Sequence, residues 1–155
     1  MTDVDPAIDS ALLRRVADEL EIRNVIARLA QLADTVPDED LGDYMAMLTE
    51  DACWVVVADT VVPAQERRGQ AEILAGVRER RAAGIQGPGT HQRHVVSTQV
   101  VEFESEDTAQ SRCYCQTFQE TDTSRPVPSL TVEYHDTLVR TAAGWKLRRR
   151  ELIPG

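Results

Sequence analysis

From Gln92 onward the chain reads as one strand after another, and this constrains the fold more than any other feature. About Gln92–Phe103, Ala109–Glu120, Leu130–Thr141 and Trp145–Ile153 are rich in Val, Thr, Tyr, Phe and Leu, residue types that suit a pleated, half-buried surface. Their connections are of hairpin length and carry turn residues: Glu104 to Thr108, Asp122 to Pro128, and Ala142-Ala143-Gly144. Strands joined this way pair antiparallel. Such a sheet must bury one face, so the rest of the chain has to supply the cover.

That cover is written in a different period. From Ala11 to about Asp34 there is no Gly or Pro, and Ile22, Val25, Ile26, Leu29 and Ala33 recur at three- and four-residue steps. This is one apolar face of a helix, with Arg14, Arg15, Asp18, Glu19, Glu21 and Arg23 as its solvated, ion-paired face. Asp9 or Ser10 can cap it, and residues 1–10 read as a flexible lead-in to a single domain over 11–155. Pro37 and Asp38-Glu39-Asp40 break the helix. A second, short helix carries Leu41, Tyr44, Met45 and Leu48 and ends at Thr49-Glu50-Asp51. Cys53–Val57 reads as a strand and Pro63 to Arg68 as a polar connection. A third helix is expected over about Gln70–Ala83, with Ala71, Leu74 and Val77 facing the core. Gly84, Gly87, Pro88 and Gly89 form the clearest loop. The fold class is therefore α+β, with helices over an antiparallel sheet and room for a ligand pocket between them.

Composition narrows the function classes. At 155 residues the chain suits one domain. Asp and Glu number 26 against 17 Lys and Arg, a formal net charge of -9. An acidic protein repels phosphate backbones and anionic lipid, so neither nucleic acid nor a membrane is the expected partner. The acidic start lacks the basic-then-apolar pattern of a signal peptide, which makes the cytoplasm the expected compartment. The three cysteines, Cys53, Cys113 and Cys115, form no C-x-x-C pair and read as small buried hydrophobes. Cys113 and Cys115, two apart in a strand, share a face.

Two residues stand out as chemistry. Asp34 ends the apolar helix close to its core face. A carboxylate drawn into an apolar pocket can act as a base, while a solvated carboxylate at a helix C-terminus is the plainer reading. His94 is one of three histidines, with His91 and His135. It opens a strand whose alternation sets it with Val96, Thr98 and Val100 on a largely apolar face. It is either half of an acid–base pair or a hydrogen-bonded core histidine. His91-x-x-His94 at a strand start is a weak metal-ligand spacing without a third ligand, and no nucleotide-binding or nucleophile motif is present, so no metal and no cofactor are expected. Lys146, Arg148, Arg149 and Arg150 form a basic run on the last strand. Alternation puts Arg149 on one face and the other three on the other. The plainer reading is a solvated or ion-paired strand that balances the acidic helices; the functional one is a single guanidinium reaching a pocket to hold an oxyanion or the catalytic carboxylate.

The order of motifs resembles a known family. It runs Ile22-Arg23-x-Val25-Ile26-Ala27-x-Leu29-Ala30-x-x-x-Asp34, Leu48-Thr49-x-Asp51-Ala52, Arg68-Gly69-x-x-x-Ile73, and His94-Val95-Val96-Ser97-Thr98. It closes with Tyr134-His135-Asp136-x-Leu138 and Gly144-Trp145-Lys146-Leu147-x-x-Arg150. Over about Ala17 to Glu151 this resembles the SnoaL-like family of the nuclear transport factor 2-like superfamily. The resemblance implies a cone-shaped α+β barrel, with three helices on a strongly curved, mixed but largely antiparallel sheet around a deep pocket. Its dehydratase-like members, such as scytalone dehydratase and hexachlorocyclohexane dehydrochlorinase, use a His–Asp pair as base. By motif position the catalytic pair is Asp34 and His94. Tyr44, Trp54, Tyr114 and Arg150 complete the expected site as substrate-binding residues. Leu29 stands where many members carry Tyr, five residues before the Asp, and Thr98 where several carry Asn, four after the His. The resemblance implies a cofactor-independent lyase or isomerase acting on a small hydrophobic substrate, cyclic ones included, in a homodimer or other homo-oligomer. The alternative is a non-catalytic ligand-binding or assembly domain, such as the small subunit of a ring-hydroxylating dioxygenase. The segments 59–68, 84–92 and 121–129 are expected to shape the pocket.

Overall fold

The computed structural model describes residues 6–58, 63–119 and 124–155. Helix α1 spans Pro6–Thr35, a 3₁₀ turn covers Asp38–Asp40, and α2 spans Leu41–Ala46. Strands β1 (Leu48–Val56) and β2 (Gln65–Arg68) precede α3 (Gly69–Ala82). Then follow β3 (Arg93–Phe103), β4 (Thr108–Gln119), β5 (Val127–Thr141) and β6 (Gly144–Pro154). All six strands form one open sheet in the order β2-β1-β6-β5-β4-β3. Only β1 against β6 is parallel, because β1 arrives from α2 rather than through a hairpin. The sheet curves into a cone-like shell that α1 and α3 cover, an α+β fold of the expected class.

The core forms where the helical period met the strand period. Ile22, Val25, Ile26, Leu29 and Ala33 are all buried against the sheet with Leu138, Trp145 and Leu147. Each large aliphatic side chain so buried contributes roughly 1.5–3 kcal/mol. At one end of the sheet, Glu21 accepts from the Trp145 backbone N–H (2.9 Å) and Asp18 from the indole N–H (3.0 Å). The indole also packs edge-on to Phe103, 5.9 Å between centroids, with Arg140 over its face. These contacts tie α1 to the β5–β6 hairpin. Gly144, at φ +97, lets Glu21 approach a backbone that a Cβ would block.

Several boundaries differ from the sequence expectation. Residues 1–5 of the expected lead-in lie outside the described residues, and 6–10 are helical, so Asp9 and Ser10 lie within α1 rather than capping it. Thr49-Glu50-Asp51 does not end α2 but belongs to β1. The polar connection contains β2, whose Gln-Glu-Arg-Arg sequence hides an edge strand that needs only one partner. In α3 the core-facing residues are Ile73, Gly76 and Val77; Ala71 is exposed and Leu74 half-buried.

Two bulges re-aim side chains. On β3, Ser97 pairs Tyr114 but Val100 pairs Arg112, so β3 carries one extra residue, and Thr98 takes φ +53. His94 and Val96 therefore face inward as expected, whereas Thr98 and Val100 are exposed and Gln99, Val101 and Phe103 turn inward. Arg23 of α1 donates to the Gln99 carbonyl at 3.0 Å, which pins this bulge. On β6, Leu138 pairs Leu147 while Thr137 pairs Arg149, leaving Arg148 as the extra residue. Arg150 thereby joins Trp145 and Leu147 on the buried side, away from Lys146 and Arg148 with which simple alternation grouped it.

Candidate active site

Asp34 lies one residue from the end of α1 and is buried, at 4% exposure. A helix C-terminus is the unfavourable end for an anion, and α1 has no basic residue in its last turn. Helix α3 and the loop after it supply compensation from outside. Arg81 reaches the carbonyls of Leu32 (3.5 Å) and Ala33 (3.4 Å) and bonds Asp38 at 2.6 Å. Gln86 adds a weaker contact to the Ala33 carbonyl at 3.4 Å. The end of α1 is thus anchored from both directions.

Strand β3 begins opposite this anchor. The His94 backbone N–H donates to Asp34 Oδ2 at 2.8 Å, and the ring Nδ1 lies 2.6 Å from Oδ1. Both carboxylate oxygens are engaged by one residue, which fixes the carboxylate plane and the imidazole together. With Asp34 ionised, Nδ1 carries the proton and Nε2 keeps a lone pair. Nε2 has no protein partner among the described residues, and the ring lines a cavity of about 440 Å³ between the helices and the sheet.

The rest of the cavity is mostly apolar. Leu29 and Ala33 come from α1, Ile73 from α3, Trp54 and Val56 from β1, and Leu152 from β6. Tyr44 of α2 also lines it. Burial holds its phenol above the ordinary 10.0, so the hydroxyl stays protonated as a hydrogen-bond donor. Tyr134 of β5, missed in the sequence except as part of a motif, sits in the same wall and is raised further for the same reason. The loop segments contribute as expected, through Gln65, Ile85, Gln92 and Ser129 among others. Residues 59–62 and 120–123, which fall within or beside those segments, lie outside the described residues.

Arg150 reaches the cavity but spends its charge on the protein. Register sets it directly opposite Asp136 on β5 and Trp54 on β1. Its Nε and Nη2 donate to the two Asp136 oxygens at 2.7 and 2.6 Å. Its guanidinium lies 4.0 Å from the Tyr134 ring centroid and 4.9 Å from that of Trp54. Burial by itself would lower its pKa, but the Asp136 carboxylate outweighs this and holds it above the ordinary value. The carboxylate it holds is therefore Asp136, which the sequence reading left without a role, and not Asp34. Tyr114 is a correction. It points out of the opposite face of the sheet, 47% exposed, and does not line this cavity. Cys113 and Cys115 face inward, and alternation from that pair excludes Tyr114 from the pocket.

A family model for a SnoaL-like domain matches residues 14–151. The chain belongs to the SnoaL-like family. Among solved structures it is similar to an NTF2-like protein with a cystatin-like fold from Novosphingobium aromaticivorans, at 27% identity and a TM-score of 0.78, covering 99% of this chain and 91% of that one. ActVI-ORFA from Streptomyces coelicolor matches at 22% identity and a TM-score of 0.68, covering 88% and 96%. A protein assigned as the β subunit of an aromatic-ring-hydroxylating dioxygenase from Novosphingobium aromaticivorans matches at 17% identity and 0.69, covering 92% and 91%. These last two share the fold. No match is found among curated proteins. Among the described residues of this SnoaL-like chain, no helix is long and apolar enough to cross a membrane.

Proposed function

We propose that this SnoaL-like protein is a cofactor-independent lyase or isomerase that takes a proton from carbon next to an activating carbonyl on a small apolar, cyclic substrate. The observation that carries this reading is the 2.6 Å contact between Asp34 and His94 at the wall of a sizeable apolar cavity. His94 Nε2 is the base. Asp34 holds the tautomer and stabilises the imidazolium that forms, as the carboxylate does in any carboxylate–imidazole base. The neutral Tyr44 hydroxyl donates to the oxyanion that develops on the carbonyl. An elimination follows when the substrate carries a leaving hydroxyl beside the carbanion, and an isomerisation when the proton returns elsewhere. Arg150, clamped by Asp136, supports the wall.

The alternative, a non-catalytic ligand-binding or assembly domain such as a dioxygenase β subunit, gives no task to a paired carboxylate and imidazole facing the cavity. A homo-oligomer fits either reading, since Val95, Val100 and Tyr114 leave apolar area on the outer face of the sheet. The test is deuterium exchange at the acidic carbon of cyclic ketones such as 2-tetralone, followed by proton NMR. Wild type should accelerate the exchange. His94→Ala and Asp34→Asn should each slow it by about 10²–10⁴-fold without loss of folded structure. Equal rates in the wild type and both variants would overturn the proposal.

A further inference from the structure

Helix α3 brings a second charged group to the same cavity, and the mechanism above does not use it. Arg80 lies in the last turn of α3 and lines the pocket. Its Nε donates to the Gln86 side-chain oxygen at 2.7 Å, and buried Gln86 is itself held toward the Ala33 carbonyl. The guanidinium is therefore oriented from behind. The nearby carboxylates are engaged elsewhere: Glu79 by Arg67, Asp38 by Arg81, Asp136 by Arg150 and Asp34 by His94. Among the described residues no carboxylate pairs with Arg80, and its two Nη groups have no protein acceptor. Burial pushes its pKa down, the mark of a cation held where its charge is poorly solvated.

The rest of the lining is mostly apolar, with Leu29, Ala33, Ile73, Trp54 and Leu152 among it. A neutral hydrocarbon ligand would leave Arg80 unpaired in that enclosure, which is the costly arrangement.

We infer that Arg80 forms an anion subsite for a ring-shaped substrate that carries a carboxylate. Arg80 takes the carboxylate through its two free Nη groups. This rests on the reading of the cavity as an active site and names its substrate class as a cyclic acid, apolar apart from the carboxylate. Isothermal titration with two bicyclic probes tests it independently of turnover: 2-naphthoate and the neutral 2-naphthamide. Wild type should bind 2-naphthoate at least about tenfold more tightly than 2-naphthamide, the worth of one charge-assisted pair. Arg80→Gln should bring 2-naphthoate down to the level of 2-naphthamide while leaving 2-naphthamide unchanged, and Arg80→Lys should recover part of the difference. His94→Ala should keep the acid preference while losing proton exchange, so failure of the base and failure of the subsite read out separately. Equal binding of acid and amide by wild type, an acid preference that survives Arg80→Gln, or no binding of any probe would overturn the inference.

Discussion

Removing the Asp136 carboxylate strands a buried guanidinium. The Arg150 side chain is 3% exposed and that of Asp136 is 0%, and two parallel hydrogen bonds of 2.6 and 2.7 Å join them. Asp136→Leu removes both bonds and the compensating charge, while Arg150 remains too basic to shed its proton. Breaking a buried pair from one side costs about 3–5 kcal/mol. For a domain of this length each kcal/mol moves Tm by roughly 2–4 °C, so Tm should fall by roughly 6–20 °C. Arg150→Met should cost a similar amount, because it leaves the carboxylate alone. The double variant should be markedly less damaged than the sum, since neither charge is then orphaned. Urea unfolding followed by circular dichroism, extrapolated to zero denaturant, gives all three values. If Asp136→Leu lies within about 0.5 kcal/mol of wild type, or if the double variant loses the full sum, the pair is not what holds this wall.

Three further outcomes follow from local chemistry. Burial pushes the Cys113 thiol from its ordinary 9.0 up to about 12, and Cys53 and Cys115 are raised for the same reason. The folded protein should therefore react slowly with Ellman's reagent at pH 8 and release all three thiols only on unfolding; rapid native labelling would contradict this. Because the folded state prefers the protonated thiol, the Cys113 contribution is fully present below about pH 9 and is lost as pH rises toward about 12; Cys113→Ala should flatten the alkaline fall in stability. Thr98, β-branched at φ +53, sits in a region that Asn tolerates better. Thr98→Asn should raise stability by about 0.5–1 kcal/mol in the same urea assay, and a loss would show that the bulge needs the threonine itself.

Periodicity made the architecture legible. Residues 22–33 announced a helix face, and every residue of that face is buried. The four late strands stand within a few residues of their expected ranges. Strand β2 was not legible, because an edge strand of Gln and Arg has no apolar alternation to display. Asp34 and His94 were legible as candidates only through their place at element ends and the resemblance, and their contact spans sixty residues that no local pattern connects. Asp136 was hidden because a carboxylate between Tyr134 and Leu138 gains its meaning from the register with β6. Arg80 was hidden because it reads as one more cation on a charged helix; that no carboxylate among the described residues pairs with it is visible only once the neighbouring ion pairs are in place.

The bulges at Thr98 and Arg148 make the sheet behave like a reading frame. His94 lies before one and Arg150 beyond the other. Deleting Arg148 would restore strict alternation and leave Arg150 facing inward, because the bulge already takes up the extra residue. A lineage with this scaffold can therefore gain or lose one residue at these points and keep the contents of its pocket wall. Such a change would look like a slipped strand in a sequence comparison, yet the charge pair behind the substrate would stay in place.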